Sequence, residues 1–404
     1  MDIAVLAHRV PYPPNKGEKI RTFHQIKYLA ERGHTVHLFC PIESSDDRAN
    51  LLELKKIFCA SVQCAQKPSA LSHIVGLVTH KPLSVSNFYT RELQQRFDKA
   101  LIEQLPDAVI CTSSSMAEYV FRSKPLQAVR SSAPKSAPKL VMDFMDLDSD
   151  KWRQYQDLKR FPLNLIYWRE SKLLGEYERK VHHQFDASLF ISPNEIELFL
   201  QNTQDEGKLH TIANGLDTES FKPGTQEKPL TDPIFLFTGV MDYLPNVDAV
   251  CWFVEHAWTD IRTQYPDAKF YVAGMNPNAK VMALKKYPGI VITGFVDDIH
   301  QYFNMAHIFV APFRIARGVQ NKVLQAMASG LPTVATPVAA EGISCTHEVD
   351  ILVGDTIPDL VQHIHWLVAN PDASTTLAKN AVALVQREFS WEGKLAELEK
   401  ILQP

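Results

Sequence analysis

Three cations, Arg314, Arg317 and Lys322, stand within the run RIARGVQNK. The two arginines and Gly318 lie in a loop, and Lys322 falls at the start of a helix-patterned segment, Gln320–Ser329. That helix carries Val323, Leu324, Met327 and Ala328 on one side at helical spacing. An apolar strand, Ile308–Ala311, precedes it and is closed by Pro312. Gly330 and Pro332 stop the helix before a second apolar strand, Thr333–Thr336. A helix N-terminus of a βαβ unit offers unpaired N–H groups and partial positive charge, so the chemistry on offer is the holding of a phosphate. From spacing alone, an ordinary surface loop with solvated arginines fits as well.

A second group of chemically capable residues is acidic. Asp143, Asp146, Asp148 and Asp150 crowd the end of the strand Leu140–Met145, in VMDFMDLDSDKW. Open α/β sheets place their ligands at the carboxyl ends of their strands. These carboxylates suit the polar wall of an acceptor site, or one that polarises an acceptor hydroxyl; Asp148 or Asp150 also suits a helix N-cap.

The elements that must position these groups alternate between strand and helix. Ile3–Ala7 reads as a buried parallel strand. Pro11, Pro13 and Pro14 then force an extended loop, and Gly17 frees the backbone just before a helix patterned by Ile20, Phe23, Ile26, Leu29 and Ala30. Gly33 ends that helix, and Thr35–Cys40 is the second strand. Helical material is expected at 46–58, within 68–80 and over 90–104, with strands at Ser61–Gln66 and Asp107–Thr112. The segment 122–139 is rich in Ser, Pro and Lys and reads as an exposed loop. Ala187–Ser192 is a strand, and Pro193 opens another helix. Glu227–Pro233 is polar with prolines and marks a hinge. Ile234–Thr238 starts a second alternating series, followed by the glycine loop GVMDYLPNVDAV and strands at Phe270–Ala273 and Val291–Thr293. The closing segment carries Trp391, Leu395, Leu398 and Leu402 as a helical stripe.

At 404 residues the chain is long enough for two domains. The net charge of −4 gives no general argument for nucleic-acid binding, and no nucleic-acid partner is expected. It is unevenly spread: 28 Lys and Arg against 25 Asp and Glu through residue 210, and 14 against 21 after it. The basic excess of the first part suits an anionic acceptor or membrane surface. The six cysteines form no CxxC pair, several sit in apolar runs, and they fit core residues of a reducing cytoplasm. The N-terminus lacks the pattern of a signal peptide, and no apolar run reaches the ~18 residues that a membrane span needs. Lys159–Tyr167 (KRFPLNLIY) mixes basic and apolar side chains and is a candidate for peripheral docking at the inner membrane face.

The motif AMASGLPTVAT (326–336), the following PVAAEGI and the segment ANGLDTESFKP (213–223) together resemble glycosyltransferase family 4. VMDFMDLDSDKW, FTGVMDYLPNVDAV and RGVQNKVLQAMASG are further similar to the sugar-transferase branch associated with exopolysaccharide and PEP-CTERM exosortase systems. The resemblance implies an α/β chain of GT-B architecture, with two Rossmann-like domains whose parallel sheets face a central cleft. The expected division is an acceptor domain over 1–212, a nucleotide-sugar donor domain over 213–385, and a C-terminal helix, 386–404, crossing back to the first domain. It implies a cytoplasmic retaining glycosyltransferase with no cofactor or metal. Its donor would be a nucleotide diphosphate sugar, UDP- or GDP-linked, and its acceptor a glycan or lipid-linked saccharide. Donor contacts are expected at Gly17, Gly239, Asn246, Phe295, Val296, Arg314, Gly318, Val319, Gln320, Asn321 and Gln325, and catalytic roles at Asp146, Lys322 and Arg317. The family's histidine near the end of the acidic strand has no counterpart here, which leaves Asp146 as the adjacent polar group, and Lys322, Arg314 and Arg317 stand in for the missing diphosphate cations. The chain departs from the family's pair of glutamates seven residues apart, which fall here on Arg317 and Gln325. Where most members have an Arg and a Lys after the donor domain's first strand, this chain has Met241 and Pro245-Asn246. A non-catalytic nucleotide-sugar binding protein and a nucleotide-sugar epimerase on the same fold are the competing expectations.

Overall fold

The structure, a computed structural model, describes residues 1–14, 17–68, 81–158, 163–201, 203, 207–224, 232–316 and 319–403. The chain divides into two compact units, Met1–Asn214 with Lys394–Pro404, and Gly215–Gly393. Each is a parallel sheet wrapped by helices, the α/β class expected from the alternating pattern.

The first unit has seven strands: β1 (Asp2–Ala7), β2 (Thr35–Ile42), β3 (Ser61–Gln66), β4 (Ala108–Thr112), β5 (Lys139–Met145), β6 (Ala187–Phe190) and β7 (Leu209–Thr211). Their order is β3-β2-β1-β4-β5-β6-β7. Every residue of β4 is buried, as a strand covered by helices on both faces must be. A core including Phe39, Phe97, Tyr119, Phe185 and Phe190 fills one side of this sheet. The C-terminal helix Trp391–Leu402 adds Leu395, Leu398 and Leu402 as buried residues, and its Glu399 accepts from the Tyr28 hydroxyl at 2.9 Å.

The second unit has six strands: β8 (Ile234–Thr238), β9 (Lys269–Ala273), β10 (Ile290–Gly294), β11 (Ile308–Ala311), β12 (Thr333–Ala335) and β13 (Leu352–Val353). Their order is β10-β9-β8-β11-β12-β13. Phe235, Phe253, Trp258 and Phe270 meet in its core, where the Trp258 indole donates to the Pro288 carbonyl at 2.8 Å. Removing the Phe270 ring would cost about 3–5 kcal/mol, the usual loss for a buried aromatic.

In both sheets the strand order reverses at the first strand. β1 lies between β2 and β4, and β8 lies between β9 and β11. The crevice at such a reversal, outside the carboxyl ends of the strands, is where doubly wound sheets receive ligands. The site residues are therefore sought beyond β1 and β4 in one unit and beyond β8 and β11 in the other.

Two sequence expectations need correction. Segment 122–139 is not an exposed loop: Lys124–Ser132 is a helix, followed by a short 3-10 turn, Pro134–Ser136. Ser123 caps that helix by accepting from the Leu126 N–H, Pro125 sits in its first turn, and Leu126 is buried. Local capping thus made a helix from a stretch whose composition read as irregular. Nor is Asp148 or Asp150 an N-cap: the helix runs Asp148–Leu158, which puts both inside its first turn. The Ser149 N–H there is satisfied instead by the distant Glu178 carboxylate, at 3.1 Å. The expected helix within 68–80, most of the hinge Glu227–Pro233 and the basic pair of the docking segment, Lys159 and Arg160, lie outside the described residues.

Candidate active site

In the second unit, β8 leads through Gly239 into the helix Leu244–His256, and β11 leads through Phe313 and Arg314 into the helix Asn321–Ala328. These two helices start side by side at the sheet reversal. Lys322, the second residue of one, donates from Nζ to Asn246 Oδ1, on the first turn of the other, at 2.7 Å. The ammonium also lies over the rings of Phe313 and Phe237, 4.7 and 5.8 Å from their centroids. Burial pushes the Lys322 pKa down to about 8. A half-buried cation with a neutral partner and two helix N-termini beside it would gain from an anion.

Tight backbone packing holds this edge. Gly274 has φ +151°, and a Cβ built there would lie 1.7 Å from the Gly239 carbonyl oxygen. Gly239 in turn donates to the Ala273 carbonyl at 3.0 Å. The loops after β8 and β9 are joined further by Met241 N–H to Met275 O at 2.8 Å and Asn276 Nδ2 to Asp242 Oδ2 at 3.1 Å.

The other sequence-predicted donor residues are dispersed around that edge. Gln320 is the residue before the helix, Asn321 its exposed first residue, and Gln325 lies one turn on from Lys322, half-buried. Val319 is exposed, and Phe295, 68% exposed, follows β10 with Val296 behind it. Arg317 and Gly318 lie outside the described residues. Arg314, expected to serve a diphosphate, forms a two-pronged ion pair with Asp248, and its guanidinium lies over Trp252. The pair uses Nε and Nη2 and leaves the remaining N–H donors of the half-exposed guanidinium for other partners, a division of labour that the sequence spacing could not reveal.

In the first unit, a cavity of about 210 Å³ opens at the reversal between β1 and β4. It is lined by His8, Ser113, Met145, Asp146, Asp148 and Lys151, among others. Lys151 Nζ pairs with Asp146 at 2.7 Å and with Asp148 at 3.3 Å. Burial works against the Lys151 charge, but these two carboxylates outweigh it and hold its pKa above the ordinary value. Burial raises the Asp148 pKa despite the opposing effect of Lys151. The chain reaches this edge through unusual backbone: Ser113 and Met145 both have positive φ, 76° and 62°. Gly17 opens the helix Gly17–Glu31 that follows β1.

Asp143, grouped with the site carboxylates by sequence, is not exposed to a ligand. It is wholly buried and paired with Arg21 and Gln25. Sequence reading also missed His8 and Lys151. His8 directly follows the β1 apolar run, and its Nδ1 stands 3.2 Å from the Thr112 carbonyl. Lys151 stands three and five residues after Asp148 and Asp146; helical spacing alone would have paired it with the former.

Two doubly wound parallel sheets, each with polar groups gathered at its reversal, define the class as GT-B, and the comparisons carry it to glycosyltransferases. Residues 232–370, most of the second unit, match the family model for glycosyl transferases group 1. The chain is 23% identical over 401 residues to the "Uncharacterized 44.6 kDa protein in cps region" of Klebsiella pneumoniae, covering 96% of each. It superposes on Anabaena Alr3699/HepE, solved in complex with UDP, with a TM-score of 0.57 at 14% identity, covering 100% of this chain and 99% of that one. Sucrose-phosphate synthase from Thermosynechococcus elongatus gives 0.53 at 16% identity, over 99% and 98% of the two chains. The match to glycosyl transferases group 1 over the second unit supports a glycosyltransferase.

Proposed function

We propose that the protein transfers a sugar, with retention of anomeric configuration, from a UDP- or GDP-sugar to a lipid-linked or growing polysaccharide acceptor. The observation that carries this reading is the Lys322 ammonium at two adjoining helix N-termini, within the matched domain. Breaking the bond between anomeric carbon and diphosphate develops negative charge on the departing phosphate oxygens. Fixed cations and N–H dipoles already aimed there lower that barrier. Lys322 would meet the diphosphate, and Gln325 would hydrogen-bond the ribose hydroxyls without charge assistance. Asp146, held by Lys151, would orient the acceptor hydroxyl in the cavity beyond β1 and β4. The reading needs no metal.

The acceptor class draws on the cps-region relative and on the sequence resemblance. No helix among the described residues is long and apolar enough to cross a membrane, so contact with a lipid-linked acceptor would be peripheral. The test is nucleotide release from a panel of UDP- and GDP-sugars, with and without lipid-linked saccharide acceptors. Acceptor-dependent release that disappears in a folded Lys322→Ala variant is the expected result. Tight donor binding with no turnover against any acceptor would leave a binding protein instead, and acceptor-free incorporation of solvent protons into the sugar would mark an epimerase.

A further inference from the structure

Asn246 is 3% exposed on the first turn of the helix Leu244–His256. Its amide fits in one sense only. Nδ2 donates to the Val240 carbonyl at 2.8 Å, and because a carbonyl can only accept, Oδ1 is left to face Lys322. Gly239 makes room for this arrangement: a Cβ there would stand 2.6 Å from Asn246 Nδ2. Backbone carbonyl, missing Cβ and buried amide together aim one oxygen at one ammonium.

We propose that Asn246 is a positioning residue, which holds the Lys322 ammonium at the sheet reversal without neutralising it. The inference rests on the reading of that edge as a diphosphate site. A carboxylate in the same place would form an ion pair and cancel the charge that a diphosphate needs. An amide oxygen fixes the direction of the amine and leaves its charge for the ligand. Phe313 and Phe237 add attraction through their ring faces, again without supplying a counter-charge. Asn246 thereby takes up the place where relatives by sequence resemblance carry a cation of their own, and serves the same ligand through Lys322.

The test is calorimetric titration of the full chain with UDP and with GDP, from about pH 6.5 to about pH 9.5, in four forms: unsubstituted, Asn246→Ala, Asn246→Asp and Lys322→Ala. The unsubstituted protein should lose affinity as pH rises through the Lys322 titration, by up to about tenfold per unit for one proton. Asn246→Asp, nearly isosteric, should bind about tenfold or more weakly near neutral pH while its break moves to higher pH. Asn246→Ala should also bind more weakly, with the break moved down. A purely structural role would change folding without moving the break. Unchanged affinity and an unchanged break in Asn246→Asp overturn the proposal, and that variant decides the matter alone if Asn246→Ala does not fold. Loss of binding in Lys322→Ala under that outcome leaves the diphosphate reading standing. Wild-type binding by Lys322→Ala sinks both.

Discussion

Arg21 reaches from the helix after β1 to both carboxylate oxygens of Asp143 on β5, at 2.7 and 3.1 Å, and both side chains are essentially sealed from water. The same guanidinium donates to the Ile212 carbonyl at 2.7 Å and to Asn214 at 3.1 Å. One side chain thus ties β1's helix, β5 and the end of the first unit's main segment behind the candidate acceptor cavity. Breaking a buried pair strands a charge in a medium that cannot solvate it. Arg21→Ala should lower unfolding free energy by about 3–5 kcal/mol, read by urea denaturation. The double variant Arg21→Met with Asp143→Leu should lose much less; equal losses would show that the pair is not the cause.

Lys322 links pH to ligand. With its pKa near 8, the amine is mostly charged at neutral pH, and a bound diphosphate would draw the proton back above that value. Thermal stabilisation by UDP or GDP should therefore shrink as pH rises past about 8, and Lys322→Ala should abolish most of it. Stabilisation that holds steady to higher pH would place the phosphates elsewhere.

Glu178 couples pH to stability instead. It is fully buried, one oxygen accepts from Ser149, and the other has no hydrogen-bond partner among the described residues. Burial, the largest cause, lifts its pKa from 4.5 to about 8. Across that window the folded chain keeps a proton that the unfolded chain releases. Its contribution is full below about 4.5 and falls away as pH rises to about 8. Glu178→Gln should flatten that fall and raise stability near pH 8 by on the order of 1 to a few kcal/mol, measured as the pH dependence of urea midpoints.

Asp146 and Lys151 should separate acceptor use from donor binding. Asp146→Asn keeps the shape but loses the charged partner that Lys151 holds at 2.7 Å. Acceptor-dependent transfer should fall by about 10²-fold, in the range of lost general acid–base or orienting groups, while UDP or GDP binding stays unchanged. A parallel loss of nucleotide binding would remove the acceptor assignment.

Gly274 tests the backbone packing beside Lys322. Its φ of +151° disfavours any side chain, and a Cβ would collide with the Gly239 carbonyl, 1.7 Å away. Gly274→Ala should displace the Gly239 loop, lowering stability by more than ~1 kcal/mol and weakening nucleotide binding with it. Normal binding at full stability would mean that the loop tolerates displacement.

Much of the fold was legible in the chain. Apolar runs such as Ile3–Ala7 and Ile308–Ala311 became buried parallel strands, because strands covered on both faces cannot carry polar side chains. Lys322 could be placed at a helix start from the spacing of Val323, Leu324 and Met327 alone. The helix Lys124–Ser132 was not legible, since a single capping hydroxyl and one buried leucine outweighed a composition of Ser, Pro and Lys.

Sequence by itself determined the parallel α/β pattern, the cations gathered at one βα junction and the acidic end of β5, because these depend on local periodicity and residue type. Only the tertiary structure decided which charges are paired internally. Arg314 pairs with Asp248, sixty-six positions earlier, and Asp143 with Arg21, a hundred and twenty-two positions earlier. Lys322, by contrast, meets the neutral amide of Asn246. Partner choice at such separations follows from which strand ends the sheet order brings together, and no local pattern in the chain encodes it.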